Sequence, residues 1–167
     1  MLVVREATLG FLVGYTEVGQ RQLLLGTHTR GPFEGLVSAP GGKREGGESL
    51  FECLRRECLA EVGYLPIRGA NFRWAGTLES KHGDETWLVY VFYAEEFQGK
   101  HTVTAELPSR WYQLDALPFE EMVPADRLWV PKLLRGERFR ATLYGENPRE
   151  RRAVAFFEPI PEPPHLW

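Results

Sequence analysis

From Glu48 onward the apolar residues change their spacing: Leu50, Leu54, Cys58 and Val62 recur every four positions, with Phe51 beside them, until Gly63. That period lays one apolar stripe along a helix, and glycine takes the left-handed conformation that ends it. A helix with such a stripe must lie on an apolar surface. The rest of the chain supplies one, because its other apolar runs are mostly short and bounded by turn residues. Residues 7–15 and 20–26 read as a hairpin about Thr16-Glu17-Val18-Gly19. Residues 72–78 and 86–95 read as paired strands around His82-Gly83-Asp84. The second carries Trp87-Leu88-Val89-Tyr90-Val91-Phe92-Tyr93, apolar on both faces as in a central strand covered from two sides. Short strands are expected at 36–39 and 110–114, a last hairpin from 139–144 and 153–157, and a short helix over 126–134 with Pro131 near its start. Residues 27–35 and 40–47 read as loops. The expected architecture is α+β, a mixed β-sheet sandwiched between α-helices. It forms one domain over residues 1–158, followed by an irregular tail, 159–167, that holds four prolines.

Composition narrows the partners. The 167 residues fit one domain, and 43% hydrophobic content is enough for a core without disulfides or a structural metal. Cys53 and Cys58 fall on the predicted helix, pointing in different directions, so they should not bridge; this favours a reducing compartment. Twenty basic against 23 acidic side chains give a net charge of −3. That balance argues against a nucleic-acid polymer as partner, yet permits a small anion whose charge is met by a metal. The first residues resemble no targeting signal, and no apolar run approaches the roughly 18 residues that span a bilayer. A soluble, cytoplasmic protein with no membrane partner is expected. Oligomeric state is not legible.

The chemistry concentrates between Gly42 and Tyr64. A Gly-rich loop carrying Lys43 leads to Glu48, then to a helix with Arg56, Glu57 and Glu61. Glu57 and Glu61 are one turn apart and share a helix face at the shoulder of the apolar stripe. Carboxylates at such a rim are costly unless paired, and two of them suit magnesium, a hard cation that keeps sites open for phosphate oxygens. Taken alone, a glutamate pair of this spacing is more often a solvated helix face.

The order of residues is more specific. Gly42, Glu48, Arg56, Glu57, Cys58, Glu61, Gly63 and Tyr64 follow the Nudix signature, with Ala60 in place of one glutamate and Cys58 and Tyr64 as loose fits to aliphatic positions. The chain therefore resembles the Nudix hydrolases. Leu24-Leu25-Gly26, Arg30-Gly31, Gly41-Gly42-Lys43, Trp111-Tyr112-Gln113-Leu114-Asp115, Leu117-Pro118-Phe119, Met122, Pro124, Asp126, Trp129 and Pro131 resemble the subfamily that hydrolyses oxidised purine nucleoside triphosphates.

The resemblance implies the Nudix fold and a magnesium-dependent hydrolase, with manganese as a substitute ion. Its substrate would be a nucleoside triphosphate, cut to the monophosphate and pyrophosphate. ADP-ribose, a dinucleoside polyphosphate or another nucleoside diphosphate derivative are the alternative substrates, and a binding or regulatory module the alternative role. Glu57, Glu61 and the Gly41 carbonyl would hold the metal, and Glu57, Glu61 or Glu106 would take the proton from water. Glu48 and Arg56 would pair and pin the loop to the helix, with Glu48 in the first helical turn. Arg30, Ser38, Gly42, Lys43 and Asp126 would contact the substrate. Ser38 stands where the subfamily has an asparagine, Val123 where it has a stacking tryptophan, and Ala125 where it has one of two aspartates. Trp87, Tyr90 and Phe92 are expected in the core. His28 and His82 lack metal-ligand spacing and are given no role.

Overall fold

The computed structural model describes residues 2–156 and 161–167. β1 (Val3–Tyr15) leads into β2 (Arg21–Thr27) through a tight turn. Gly19 there has φ 81°, and the Thr16 hydroxyl accepts the Gln20 N–H at 3.0 Å. β3 (Val37–Ser38) and β4 (Gly41–Lys43) precede α1 (Leu50–Val62), which is followed by β5 (Tyr64–Pro66). β6 (Phe72–His82) and β7 (Glu85–Ala94) form the long central hairpin. β8 (Phe97–Gly99), β9 (Ser109–Gln113), α2 (Asp126–Leu134), β10 (Phe139–Tyr144) and β11 (Arg152–Phe156) complete the order.

The main sheet runs β11-β10-β6-β7-β1-β2-β3, with β4 added to β1 and β9 to β2. β1 is the hub. It lies parallel to β7 over Val3–Leu12, and antiparallel to β4 at Ala7–Leu9 and to β2 at Val13–Tyr15. β6 and β10 form the other parallel pair, so the sheet is mixed.

Strand alternation separates two cores. Phe11, Val13, Leu23, Leu25, Val91 and Tyr93 face α2 and its Trp129, Val130 and Leu133. Leu12, Leu24, Tyr90 and Phe92 face the α1 stripe of Leu50, Leu54, Cys58 and Val62. The helices thus cover opposite faces of the sheet, as the apolar pattern of β7 requires. Trp129 stacks on Phe139 at 5.0 Å and meets Phe11 edge-on at 5.6 Å. Arg73 and Arg21 donate to the last carbonyls of α2, Leu133 at 2.9 Å and Leu134 at 3.0 Å, tying that helix end to the sheet. Both cysteines are buried and unbridged.

Several local readings of the sequence are corrected. Residues 41–43, expected in a loop, form β4, paired with Ala7–Leu9 of β1; Gly41, without a side chain, presses against the Thr8 backbone. α1 begins after Glu48. Its N-cap is Ser49, and the acidic residue of the first turn is Glu52. Pro131 lies inside α2 rather than near its start. The pairing of β5 with β8 was not foreseen, since three-residue strands carry no period. Trp87 belongs to neither core cluster and is only half-buried, at the start of β7 where the burial pattern is open.

The expected hairpin of 139–144 with 153–157 exists as β10 and β11, Phe157 lying outside the described residues. Of the tail, residues 157–160 are also outside them. Residues 161–167 pack on α1: the carbonyls of His165 and Leu166 accept the N–H groups of Leu50 and Phe51 at 2.8 and 3.0 Å. Two N-terminal donors that the helix leaves unpaired are met in this way. Leu166 is buried in the α1-side core, and Trp167 lies against Phe51 and Phe72.

Candidate active site

Helix α1 is fixed at both ends. The Ser49 hydroxyl accepts the Glu52 N–H at 3.1 Å, while the Glu52 carboxylate accepts the Ser49 N–H at 2.9 Å. This capping box stabilises the helix by about 1 kcal/mol. Gly63, at φ 83°, returns its N–H to the Leu59 carbonyl. With Leu54, Cys58 and Val62 turned into the core, the next positions around the helix bring Glu57 and Glu61 to the rim. Glu61 is 6% exposed and the Glu57 side chain 19%.

The glycines of β4 meet those carboxylates. A Cβ on Gly41 would fall 1.9 Å from the Thr8 carbonyl oxygen, and one on Gly42 would fall 2.5 Å from the Glu57 carboxyl carbon. Only glycine allows both approaches. The Gly41 N–H donates to Glu61 Oε1 at 2.8 Å. Burial pushes the Glu61 carboxyl up to about 7; the Gly41 N–H opposes that rise, while the negative charges of Glu57 and Glu106 add to it. Burial also raises Glu57, against the pull of Arg56. The site holds more negative charge than its own cations balance.

Arg56 organises the loop. It donates to both carboxylate oxygens of Glu48 (2.7 and 3.1 Å), to Glu57 Oε1 (2.7 Å) and to the Lys43 carbonyl (2.9 Å). Glu48 in turn accepts the Glu45 N–H at 2.8 Å, and its pKa is lowered first by the bond from Arg56. Planar guanidinium geometry permits this multiple bonding, which a lysine could not reproduce.

Glu106 lies on the loop between β8 and β9, with its side chain 55% exposed and Arg30 at 3.5 Å. The Thr104 hydroxyl donates to the Glu61 carbonyl at 2.8 Å, so this loop is tied directly to α1. The Thr29 hydroxyl donates to the carbonyls of Ala105 and Glu106, joining it to the segment that carries Arg30. Glu57, Glu61, Glu106, Gly41, Gly42 and Arg30 are therefore linked in one region. Thr104 was invisible to sequence reasoning, since a lone loop threonine carries no signal.

Ser38, at the end of β3, donates to the Ala39 carbonyl at 3.1 Å and bonds His28 Nε2 at 2.8 Å. Burial lowers the pKa of His28. Asp126 stands in the first turn of α2, and loss of hydration pushes its carboxyl up to about 8. Lys43 extends from β4 over the ring of Trp87, 5.4 Å from its centroid. Trp87 lines a cleft instead of the core in which it was expected.

Among the described residues no three His, Cys, Asp or Glu side chains form a ready metal cage. Two crowded, half-desolvated carboxylates face a strand whose glycines leave room, a donor set that suits a hard cation with further ligands from elsewhere. Ala60, exposed on α1, is where a further carboxylate is missing.

The NUDIX domain family matches residues 10–133. The chain is 32% identical over 120 residues to the oxidized purine nucleoside triphosphate hydrolase of Danio rerio, covering 71% of this chain and 75% of that protein. To the Mus musculus protein of the same name it is 31% identical over 124 residues, covering 71% and 76%. Its fold is similar to the crystal structure of the MutT protein from Bacillus halodurans, with a TM-score of 0.72 and 24% identity over 94% of this chain and 99% of that one. No helix among the described residues is long and apolar enough to cross a membrane.

Proposed function

Because this chain belongs to the NUDIX domain family and is a hydrolase of that kind, we propose that it is a magnesium-dependent nucleoside triphosphate pyrophosphohydrolase, releasing a nucleoside monophosphate and pyrophosphate. The observation that carries this reading is the pair Glu57 and Glu61 against Gly41 and Gly42, where two carboxylates with raised pKa values meet a strand stripped of side chains. Glu57, Glu61 and the Gly41 carbonyl would hold magnesium, which neutralises charge on phosphate oxygens and acidifies water. Manganese is the natural substitute ion.

Glu106 is assigned as general base. It is the most exposed of the three carboxylates, and its charge is felt by both Glu57 and Glu61. A water beside the reacting phosphorus loses its proton to Glu106 as its oxygen bonds to phosphorus; the phosphoanhydride bond breaks and pyrophosphate leaves. Arg30, paired with Glu106, and Lys43 supply mobile positive charge for phosphate oxygens. Gly42, by lacking a side chain, keeps their approach to the carboxylates open.

The relatives named for oxidised purine nucleoside triphosphates support that substrate class. In this chain Val123, Ala125 and Ser38 replace a ring, a carboxylate and an amide of the subfamily pattern, leaving Asp126 as the polar contact to the base. Fewer polar groups mean weaker discrimination between bases. The test is a screen of oxidised and unmodified nucleoside triphosphates with magnesium, following pyrophosphate against orthophosphate. Release of orthophosphate alone, or no turnover of any triphosphate, overturns the proposal.

A further inference from the structure

β4 is only three residues long, yet it faces two ways. Gly42 meets Glu57 on the α1 side, whereas Lys43, the next residue, reaches Trp87. Trp87 stands two residues before Val89 on β7, hence on the face that packs toward α2. It comes just before the core closes. Lys43 opposes Ala7, which opposes Val89, while Trp87 opposes Arg5 two residues along the same face, and both side chains line one mouth.

The cleft they form has a volume of about 220 Å³. That is below the roughly 300 Å³ at which whole-ligand pockets begin, and suits one part of a ligand. Its charges are unequal in availability. Arg5 is committed to Glu85 at 3.1 Å and Arg44 to Glu6 at 2.8 Å, while Lys43 has no carboxylate partner within 4.0 Å among the described residues. Trp87 is held in orientation: its Nε1–H donates to Glu85 Oε2 at 3.3 Å, and the other oxygen of Glu85 is the one that Arg5 holds. A fixed aromatic face beside one free cation recognises a molecule that is flat and aromatic at one end and anionic at the other.

Resting on the functional reading above, we propose that Trp87 is the stacking platform for the base of the nucleotide substrate, and that Lys43 is its gate. In the empty site the ammonium covers the ring through a cation–π contact, and its flexible stem lets it swing to a phosphate oxygen when a base takes its place. The phosphates lie at the β4 edge beside Gly42 and Glu57. Trp87 lies two strands from that edge, β4 to β1 to β7, roughly 10 Å at ordinary strand spacing. The ring absent at Val123 is thus replaced from a different element, the central strand.

The test measures binding by intrinsic tryptophan fluorescence. The probe is a purine nucleoside triphosphate with a methylene group in place of the α,β bridging oxygen, added with magnesium to the full chain and to Trp87→Phe and Trp87→Leu. Quenching is expected in the native protein and should largely vanish in both variants, which lack the emitting ring. Affinity, followed by equilibrium dialysis, should stay within about threefold in Trp87→Phe and fall roughly tenfold or more in Trp87→Leu, since stacking needs a ring. Undiminished quenching in Trp87→Phe, or equal affinity in Trp87→Leu, overturns the platform. The two readings fail separately: quenching by the probe with no hydrolysis of any native triphosphate defeats the enzyme assignment alone. Hydrolysis by a chain whose affinity ignores Trp87 defeats this inference alone.

Discussion

The Gly41 N–H and the Glu61 carboxylate are joined by a 2.8 Å hydrogen bond that spans twenty positions of sequence. It fastens the rim of α1 to β4 and holds Gly41 against the buried carboxylate. Because the donor is a backbone group, no side-chain substitution at position 41 removes it directly. A Cβ there would separate the partners by forcing β4 off β1.

Glu57→Gln and Glu61→Gln should each abolish most of the magnesium-dependent activity, by at least the 10² to 10⁴ or so typical of a lost general base. The amide keeps the size but removes the charge that holds the cation. With the Glu61 carboxyl at about 7, protons compete with the metal below neutrality, so magnesium affinity should weaken progressively from pH 7 to pH 5. Calorimetric titration at several pH values reads this. Full activity of both variants in excess chelator would remove the metal reading.

Ala60→Glu should tighten magnesium binding in the absence of nucleotide. Position 60 is exposed on α1, so a longer side chain is accommodated without displacing the core, and it adds a hard oxygen ligand three residues from Glu57. Unchanged stoichiometry and affinity on titration would mean that another group already fills that place.

Glu106→Gln should lower kcat by about 10² to 10⁴ while leaving magnesium affinity near its native value, because the residue is assigned to the proton and not to the metal. Parallel loss of metal affinity would move Glu106 into the ligand set.

Asp126 sets a pH dependence of stability. Its carboxyl titrates near 3.8 when hydrated and at about 8 in the folded protein. Between those values the native state keeps a proton that the unfolded chain releases. More protons bound to the native state means that stability falls as pH rises through this window. Asp126→Asn cannot titrate, so the difference in melting temperature, variant minus native, should grow from pH 4.5 to pH 8. A difference that stays constant with pH would show that the carboxyl is hydrated.

Discrimination between 8-oxo and unmodified guanine triphosphates, read as the ratio of kcat/KM, should stay below about a hundredfold, since one surviving carboxylate leaves little unpaired when the wrong base enters. A larger preference that disappears in Asp126→Ala would show this view of the base pocket to be wrong.

The stripe from Leu50 to Val62, its stop at Gly63 and the spacing of Glu48, Arg56, Glu57 and Glu61 are written in the sequence, because helix periodicity acts between residues three or four apart and needs no distant partner. The apolar character of β7 likewise announced a sheet covered on both faces. What the sequence could not decide depends on contacts between segments far apart in the chain. β4 is a strand only because β1 lies where two glycines can reach it. Leu50 and Phe51 find their hydrogen-bond acceptors at His165 and Leu166, more than a hundred residues later. Composition could count Trp87 as apolar, but only the packing of the strands about it decides that its ring lies in a cleft beside Lys43 and not in the core.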